Sequence, residues 1–230
     1  MSRKQQAAFK TRRGSYQRSA NVYQLNEALV ANGQAYNEGP KRKTWSLHDL
    51  KTIKPLTSTQ ALMFREFFDG QHICAHGSAG TGKSYVALYL ALNEVLDPES
   101  DVDKIIIVRS AVPTRDVGHL PGTLEEKTAI FELPYADMFA DFIGRKSTYQ
   151  DMKDAGLIHF NTTSYIRGVT WDNAVVVVDE GQNMDAHEIN TIMSRMGKSS
   201  RILVLGDLIQ TDLRNRRGDV TGMDKLITVT

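Results

Sequence analysis

The run from Gln71 to Leu92, QHICAHGSAGTGKSYVALYLAL, constrains the fold of this chain more than any other. A short apolar segment enters a glycine-rich turn and a segment of helical periodicity leaves it, which predicts strand, loop and helix in that order. Gly77, Gly82, Lys83 and Ser84 fill every fixed position of G-x-x-x-x-G-K-[ST]. Without a Cβ, Gly77, Gly80 and Gly82 let the backbone take positive φ and turn its NH groups inward as an anion cradle, with the positive end of the next helix behind it. The expected phosphate contacts are Gly77, Ser78, Ala79, Gly80, Thr81, Gly82, Lys83, Ser84 and Tyr85. Lys83 would reach the β and γ phosphates as a flexible point charge, and the Ser84 hydroxyl would ligate Mg²⁺. A turn that merely joins strand to helix is the bland alternative; the Lys-Ser pair and both flanks argue against it.

A second stretch, Ala174 to Asn183, reads AVVVVDEGQN. Four valines predict a buried parallel strand, and Asp179 and Glu180 stand where it emerges into the crevice at the carboxyl edge of the sheet. A carboxylate there can hold Mg²⁺ through water, and its neighbour can orient and deprotonate a water molecule. Acids after strands are common, so the pair gains its weight from the phosphate loop upstream.

The remaining elements follow from periodicity. Leu56 to Phe68 predicts a helix capped by Thr57, Ser58 or Thr59. It carries Gln60, whose amide can pair with N6 and N7 of adenine or simply face solvent. Asp97-Pro98 ends the helix after the loop, and Lys104 to Val108, KIIIV, predicts a second buried strand with Arg109 at its carboxyl end. Arg109 there either meets phosphate or nucleic acid, or closes the strand with a solvated charge. Residues 110–149 form a long excursion, first loop and then helix through Phe131, Tyr135 and Phe139, expected at the mouth of the site. Gly156 to Phe160 predicts a short strand. After Asn183 a helix is expected with Ile189, Ile192, Met193 and Met196 turned to the core. Arg201 to Gly206 predicts another strand with a polar exit at Asp207, and Lys225 to Thr230 the start of one more.

Composition narrows the class. A hydrophobic fraction of 41% in 230 residues suffices for one main domain. With one cysteine, Cys74, no intrachain disulfide is possible, and the six histidines make no metal spacing with it. No apolar run spans a membrane and no signal-like segment opens the chain, so a soluble, cytoplasmic protein is expected. The net charge of +1 hides an asymmetry: residues 1–54 hold eleven Lys and Arg against three acids, a net of +8, leaving −7 for the rest. A basic, partly disordered or helical arm, 1–54, is therefore expected ahead of an acidic body, 55–230. Its arginines interleave with Tyr16 and Tyr23, a pattern that suits single-stranded nucleic acid as well as a plain solvated tail.

The ordered set GSAGTGKS, RSAV, LPG, PY, YIRG, VVVVDEGQN, SRMG and GDLIQTDL resembles the PhoH-like family of phosphate-loop ATPases from about Leu56 to Leu213. That family is similar to the first RecA-like domain of superfamily 1 helicases. The resemblance implies an α/β fold, a mostly parallel sheet with helices on both faces, in which the Gly206 strand lies between the phosphate-loop strand and the Asp179 strand. It also implies ATP and Mg²⁺ as ligands, Gln60 as adenine reader, Asp179 as metal partner, Glu180 as catalytic carboxylate and Gln210 as γ-phosphate sensor. Arg167 and Arg195 match family positions and are candidates for an arginine donated to a neighbour's nucleotide. Ser110 stands where the family usually has proline, Val169 where it has a second arginine, and Gly181 where it has alanine. Members of the family tend to continue past this C-terminus with another strand and a basic motif. Short phage-encoded members exist, and such an origin would put this chain in a host cytoplasm.

The expected activity is Mg²⁺-dependent ATP hydrolysis coupled to single-stranded RNA or DNA, carried out by a homo-oligomeric ring, a hexamer. One rival is a nucleotide-gated binding module with negligible turnover. A small-molecule phosphoryl transferase is weaker, because Glu180 and Gln210 suit water activation and sensing better than acceptor binding.

Overall fold

The computed structural model describes residues 45–110, 124–163, 166, 168–207 and 222–229, all within a compact unit spanning Lys43–Thr230. Its centre is a five-stranded sheet: β1 (Ile73–His76), β2 (Lys104–Arg109), β3 (Ile158–Thr162), β4 (Ala174–Asp179) and β5 (Arg201–Gly206), in the order β1-β5-β4-β2-β3. Every pairing is parallel. The Gly206 strand therefore lies between the phosphate-loop strand and the Asp179 strand, as the resemblance implied. This is an α/β fold consistent with a RecA-like phosphate-loop NTPase.

Period-two alternation explains why the strands are continuously apolar. Ile105, Ile107, Val175, Val177, Leu203 and Leu205 face one core, while Ile106, Val108, Val176, Val178, Ile202 and Val204 face another. The first core is roofed by α1 (Ser58–Phe68), α2 (Lys83–Leu96), α3 (Leu124–Ile143) and α4 (Thr148–Asp154). Here α2 is buried without a break from Val86 to Leu92, and α3 turns Tyr135, Phe139 and Phe142, spaced i, i+4, i+7, into the same core. Trp45, Leu47, Leu50 and Ile53 pack there too. Arg201 clamps the base of the sheet, bonded to Glu94 at 2.7 Å and to the Phe67 carbonyl at 2.6 Å.

The second core is smaller, with α5 (Ala186–Met193) and α6 (Gly222–Val229) on its side. Asp185 caps α5 in a reciprocal box with Glu188, which accounts for the sharp start of that helix. Its end comes earlier than the sequence suggests: Met193 is 40% exposed and Met196 only packs on the core edge, so the stripe expected to be core narrows to Ile189 and Ile192. The larger correction is α6. The segment expected to begin a strand is helical, because Met223 is fully buried and Leu226 follows at i+3 to pack on the same core. Gly222 lets this helix sit against α5, since a Cβ would stand 2.5 Å from the Asp185 carbonyl oxygen. Tertiary docking overrides the β-branched preference of the segment. Cys74, expected to be buried, is half-buried at the edge of this core, and burial pushes its thiol pKa up.

Candidate nucleotide-binding site

At the carboxyl edge of the sheet three strand exits converge on an open cavity of about 230 Å³, lined by Gly80, Lys83, Ser84, Asp179, Glu180 and Asp207 among others. The loop between β1 and α2 forms its floor. Gly80 and Gly82 adopt φ of +77° and +80°, the left-handed backbone that glycine permits. Gly77 does not: it continues the strand, its NH donating to the Gly206 carbonyl at 3.2 Å. The Lys83 ammonium lies across its own loop, donating to the carbonyls of Gly77 at 2.7 Å and Ser78 at 2.8 Å.

β4 supplies the acid pair. Asp179, 7% exposed, accepts from the Ser84 hydroxyl at 2.8 Å on one oxygen and from the Tyr135 phenol at 3.0 Å on the other. Tyr135 is 1% exposed; burial first, and then the Asp179 charge, push its pKa well above the usual phenol value, opposed by the charge of Arg109. Arg109 is half-buried and outside the cavity lining, its guanidinium 5.5 Å from the Phe131 ring centroid. Glu180 takes φ of +56°, rare for a residue with a side chain, at the turn from β4 into a 3-10 segment, Gly181–Asn183. Such strain gathers at functional sites. The turn is held by the Asn183 NH donating to the Glu180 carbonyl at 2.9 Å, and the Glu180 NH donates to Asp179 at 3.1 Å.

β5 contributes a side chain to which sequence reasoning gave no role. Asp207, 5% exposed, accepts from the Ala79 NH at 3.0 Å, so a carboxylate rests on the anion cradle itself. Gln182 ties the two exits together: its amide donates to Glu180 at 2.5 Å and its carbonyl accepts from the Asp207 NH at 2.9 Å. Beside the loop, Gln60 donates to the Thr81 carbonyl at 3.0 Å and accepts from the Leu56 NH at 2.7 Å. Tyr85 lines the cavity with its ring against Phe142, and its hydroxyl donates to Asp141 at 2.5 Å. Partial burial and that bond push its pKa up to about 12. Asp141, bonded by Tyr85 and by Lys51 at 3.0 Å, is held below the usual carboxylate value.

Among the described residues no cluster of three His, Cys, Asp or Glu side chains could hold a metal by itself. The oxygen pair of Ser84 and Asp179 nevertheless fits Mg²⁺, which keeps most of its waters and takes one or two protein oxygens together with phosphate.

A family model described as PhoH-like protein matches residues 52–230. The chain belongs to the PhoH-like protein family. It is 38% identical to the PhoH-like protein of Synechocystis over 60% of its length and 42% of the relative's. Against the PhoH-like protein of Mycobacterium leprae it is 33% identical over 71% and 46%, and against Protein PhoH of Escherichia coli 33% over 66% and 43%. It thus spans less than half the length of these relatives.

Where this PhoH-like chain departs from its family's usual residues, local contacts supply reasons for two of the three. Ser110 uses its hydroxyl to donate to the Asn183 carbonyl at 3.1 Å, a bond that proline could not make. At Gly181 a Cβ would lie 3.1 Å from the Leu205 carbonyl oxygen, so the lack of a side chain eases packing of the turn on β5. Val169 is 46% exposed, and nothing in the structure explains it. Gln210 and Arg167 lie outside the described residues. Arg195 is half-buried in the turn after α5, is not in the cavity lining, and leaves a buried Nε without a hydrogen-bond partner. The positions that sequence reasoning missed had one usable signal: Tyr135 is the only hydroxyl-bearing ring on a face it shares with Phe139 and Phe142, and a buried phenol needs a partner. No helix among the described residues is long and apolar enough to cross a membrane.

Proposed function

We propose that this PhoH-like chain binds Mg²⁺-ATP at the carboxyl edge of its sheet and hydrolyses it. The observation that carries the reading is the 2.8 Å bond between Ser84 and Asp179, which brings the phosphate-loop hydroxyl and the strand-exit carboxylate to one point with Glu180 beside them. Mg²⁺ would be held by Ser84 and Asp179 and would offset the charge of the β and γ phosphates. Lys83 exchanges its two loop carbonyls for phosphate oxygens and neutralises charge as it develops. Glu180 orients the attacking water and accepts its proton, with the Gln182 amide fixing the carboxylate. Gln60 stands beside the loop where an adenine amide-reader is wanted, and Gln210 is assigned as γ-phosphate sensor from its motif. Phosphate release, measured with nucleotide binding, tests the reading: Lys83→Ala is expected to abolish release and weaken binding, and release unchanged in that variant overturns it.

The finer proposal is coupling to single-stranded RNA or DNA through the basic arm, in a homo-oligomeric ring, a hexamer. The split of +8 against −7 supports it, because one protomer's arm would be drawn to another's body. Arg195 or Arg167 would then be donated to the neighbour's nucleotide. Deleting residues 1–43 is expected to flatten the salt dependence of nucleic-acid binding and reduce the assembled mass; unchanged mass, affinity and salt slope would make the arm a solvated tail. The exposed Val169, standing where a second arginine is usual, favours the second reading, a nucleotide-gated module. Tight ATP binding with no release, with or without nucleic acid, would select that module.

A further inference from the structure

Both oxygens of Asp179 accept from hydroxyls, Oδ1 also from the Glu180 NH at 3.1 Å, and the two hydroxyls differ in freedom. Ser84 opens α2 and lines the cavity, so rotation about one bond withdraws its proton from Oδ1 and leaves that oxygen with the Glu180 NH and an open lone pair. Tyr135 is 1% exposed in the middle of α3, tilted on Phe160 at 5.9 Å between ring centroids. It cannot leave Oδ2 without opening the core. Pro134 precedes it inside the helix, where a missing NH already removes one helical bond.

The direction of the Tyr135 bond is also fixed. An ionised carboxylate only accepts, so the phenol spends its own proton on Oδ2 of Asp179 at 3.0 Å. Arg109 is stacked over Phe131, one helical turn before Tyr135, and its backbone is in register with Asp179 across β2 and β4.

We propose that Tyr135 is a positioning residue for the metal: by pinning Oδ2 it presents Oδ1 of Asp179 to the cavity beside Ser84. The proposal rests on the Mg²⁺-nucleotide reading of this site. A merely structural tyrosine, satisfied in the core, would affect stability without distinguishing nucleotide with Mg²⁺ from nucleotide without it.

The test is equilibrium binding of a fluorescent ADP analogue to the full chain, titrated with Mg²⁺ and repeated in EDTA. Tyr135→Phe, which keeps the ring, is expected to raise the half-saturating Mg²⁺ concentration about tenfold and leave EDTA affinity within about twofold. In an Asp179→Asn background Tyr135→Phe should add less than about twofold, because the pair then acts as one unit. Equal losses with and without Mg²⁺, no shift in Tyr135→Phe, or full additivity with Asp179→Asn would overturn the role of Tyr135 alone. Wild-type binding that ignores Mg²⁺ would overturn the reading of the site and Tyr135's role with it.

Discussion

Asp179 and Asp207 leave neighbouring regions of the same sheet edge, both more than nine-tenths buried; each accepts from a backbone NH, and Asp179 also accepts from two hydroxyls. Asp179 is bonded by two side-chain hydroxyls, from Ser84 and Tyr135, as well as by the Glu180 NH. Asp207 is bonded by backbone: the Ala79 NH meets its carboxylate, and its own NH is given to Gln182. The Ser84 hydroxyl can turn its lone pair to a cation, so the cavity side of Asp179 tolerates a metal. A loop NH can only donate, so Asp207 occupies a place that suits an anion. On the proposed reading, one strand exit would take the cation of a metal-nucleotide complex and the next would compete with its phosphates. Gln182 joins them, so the Glu180 side would gain a contact that changes if phosphate displaces Asp207.

The contrast is sharpest at Asp179. Asp179→Asn is expected to lower hydrolysis by about 10²–10³-fold and to remove the Mg²⁺ dependence of nucleotide binding. Assays of phosphate release across a Mg²⁺ series check both, and an activity that keeps its Mg²⁺ response would erase the distinction.

Gln182→Met comes next. It should slow release by about tenfold with a smaller change in ADP affinity, because Glu180 loses the amide that orients it while the cradle is reached only through Asp207. Equal losses in turnover and affinity would make Gln182 part of the binding surface instead.

The opposite sign is expected at Asp207. Asp207→Asn keeps the shape but loses the charge, so pyrophosphate and ADP affinity in EDTA should rise by about 3- to 10-fold. Weaker binding would mean that the carboxylate supports the loop and does not compete with phosphate.

The smallest effect lies beside the site, at Tyr85. Its hydroxyl bond to Asp141 should make Tyr85→Phe less stable than wild type by about 1 kcal/mol near neutral pH. Because folding raises this phenol from 10.0 to about 12, its contribution is whole below pH 10 and is lost as pH rises through 12. Urea titrations should therefore show the wild-type advantage shrinking and then reversing across that range, and an advantage that grows with pH would contradict the assignment.

Legibility in the sequence followed locality. The phosphate loop, the valine strand and the helix cap at Thr57 each carry their signal within a few neighbouring residues, and the structure has them where the periodicity predicts. α6 was misread because its tail is β-branched, while its docking depends on Gly222 and Gly206 meeting distant partners. The supporting shell was least legible. Tyr135 is 44 residues from Asp179 in sequence and Asp207 is 128 from Ala79, and nothing near either residue announces its partner. Only the fold that the local signals build brings such pairs together, so the motif residues could be named from sequence and the residues that hold them could not.

The central claim, that Glu180 activates water at a site whose ATP is held by other residues, is tested by single-turnover phosphate release in wild type and Glu180→Gln at matched ATP occupancy. The expected result is release in the wild type and at least about 100-fold slower release in the variant, with ATP still bound. Equal rates in the two proteins would contradict it.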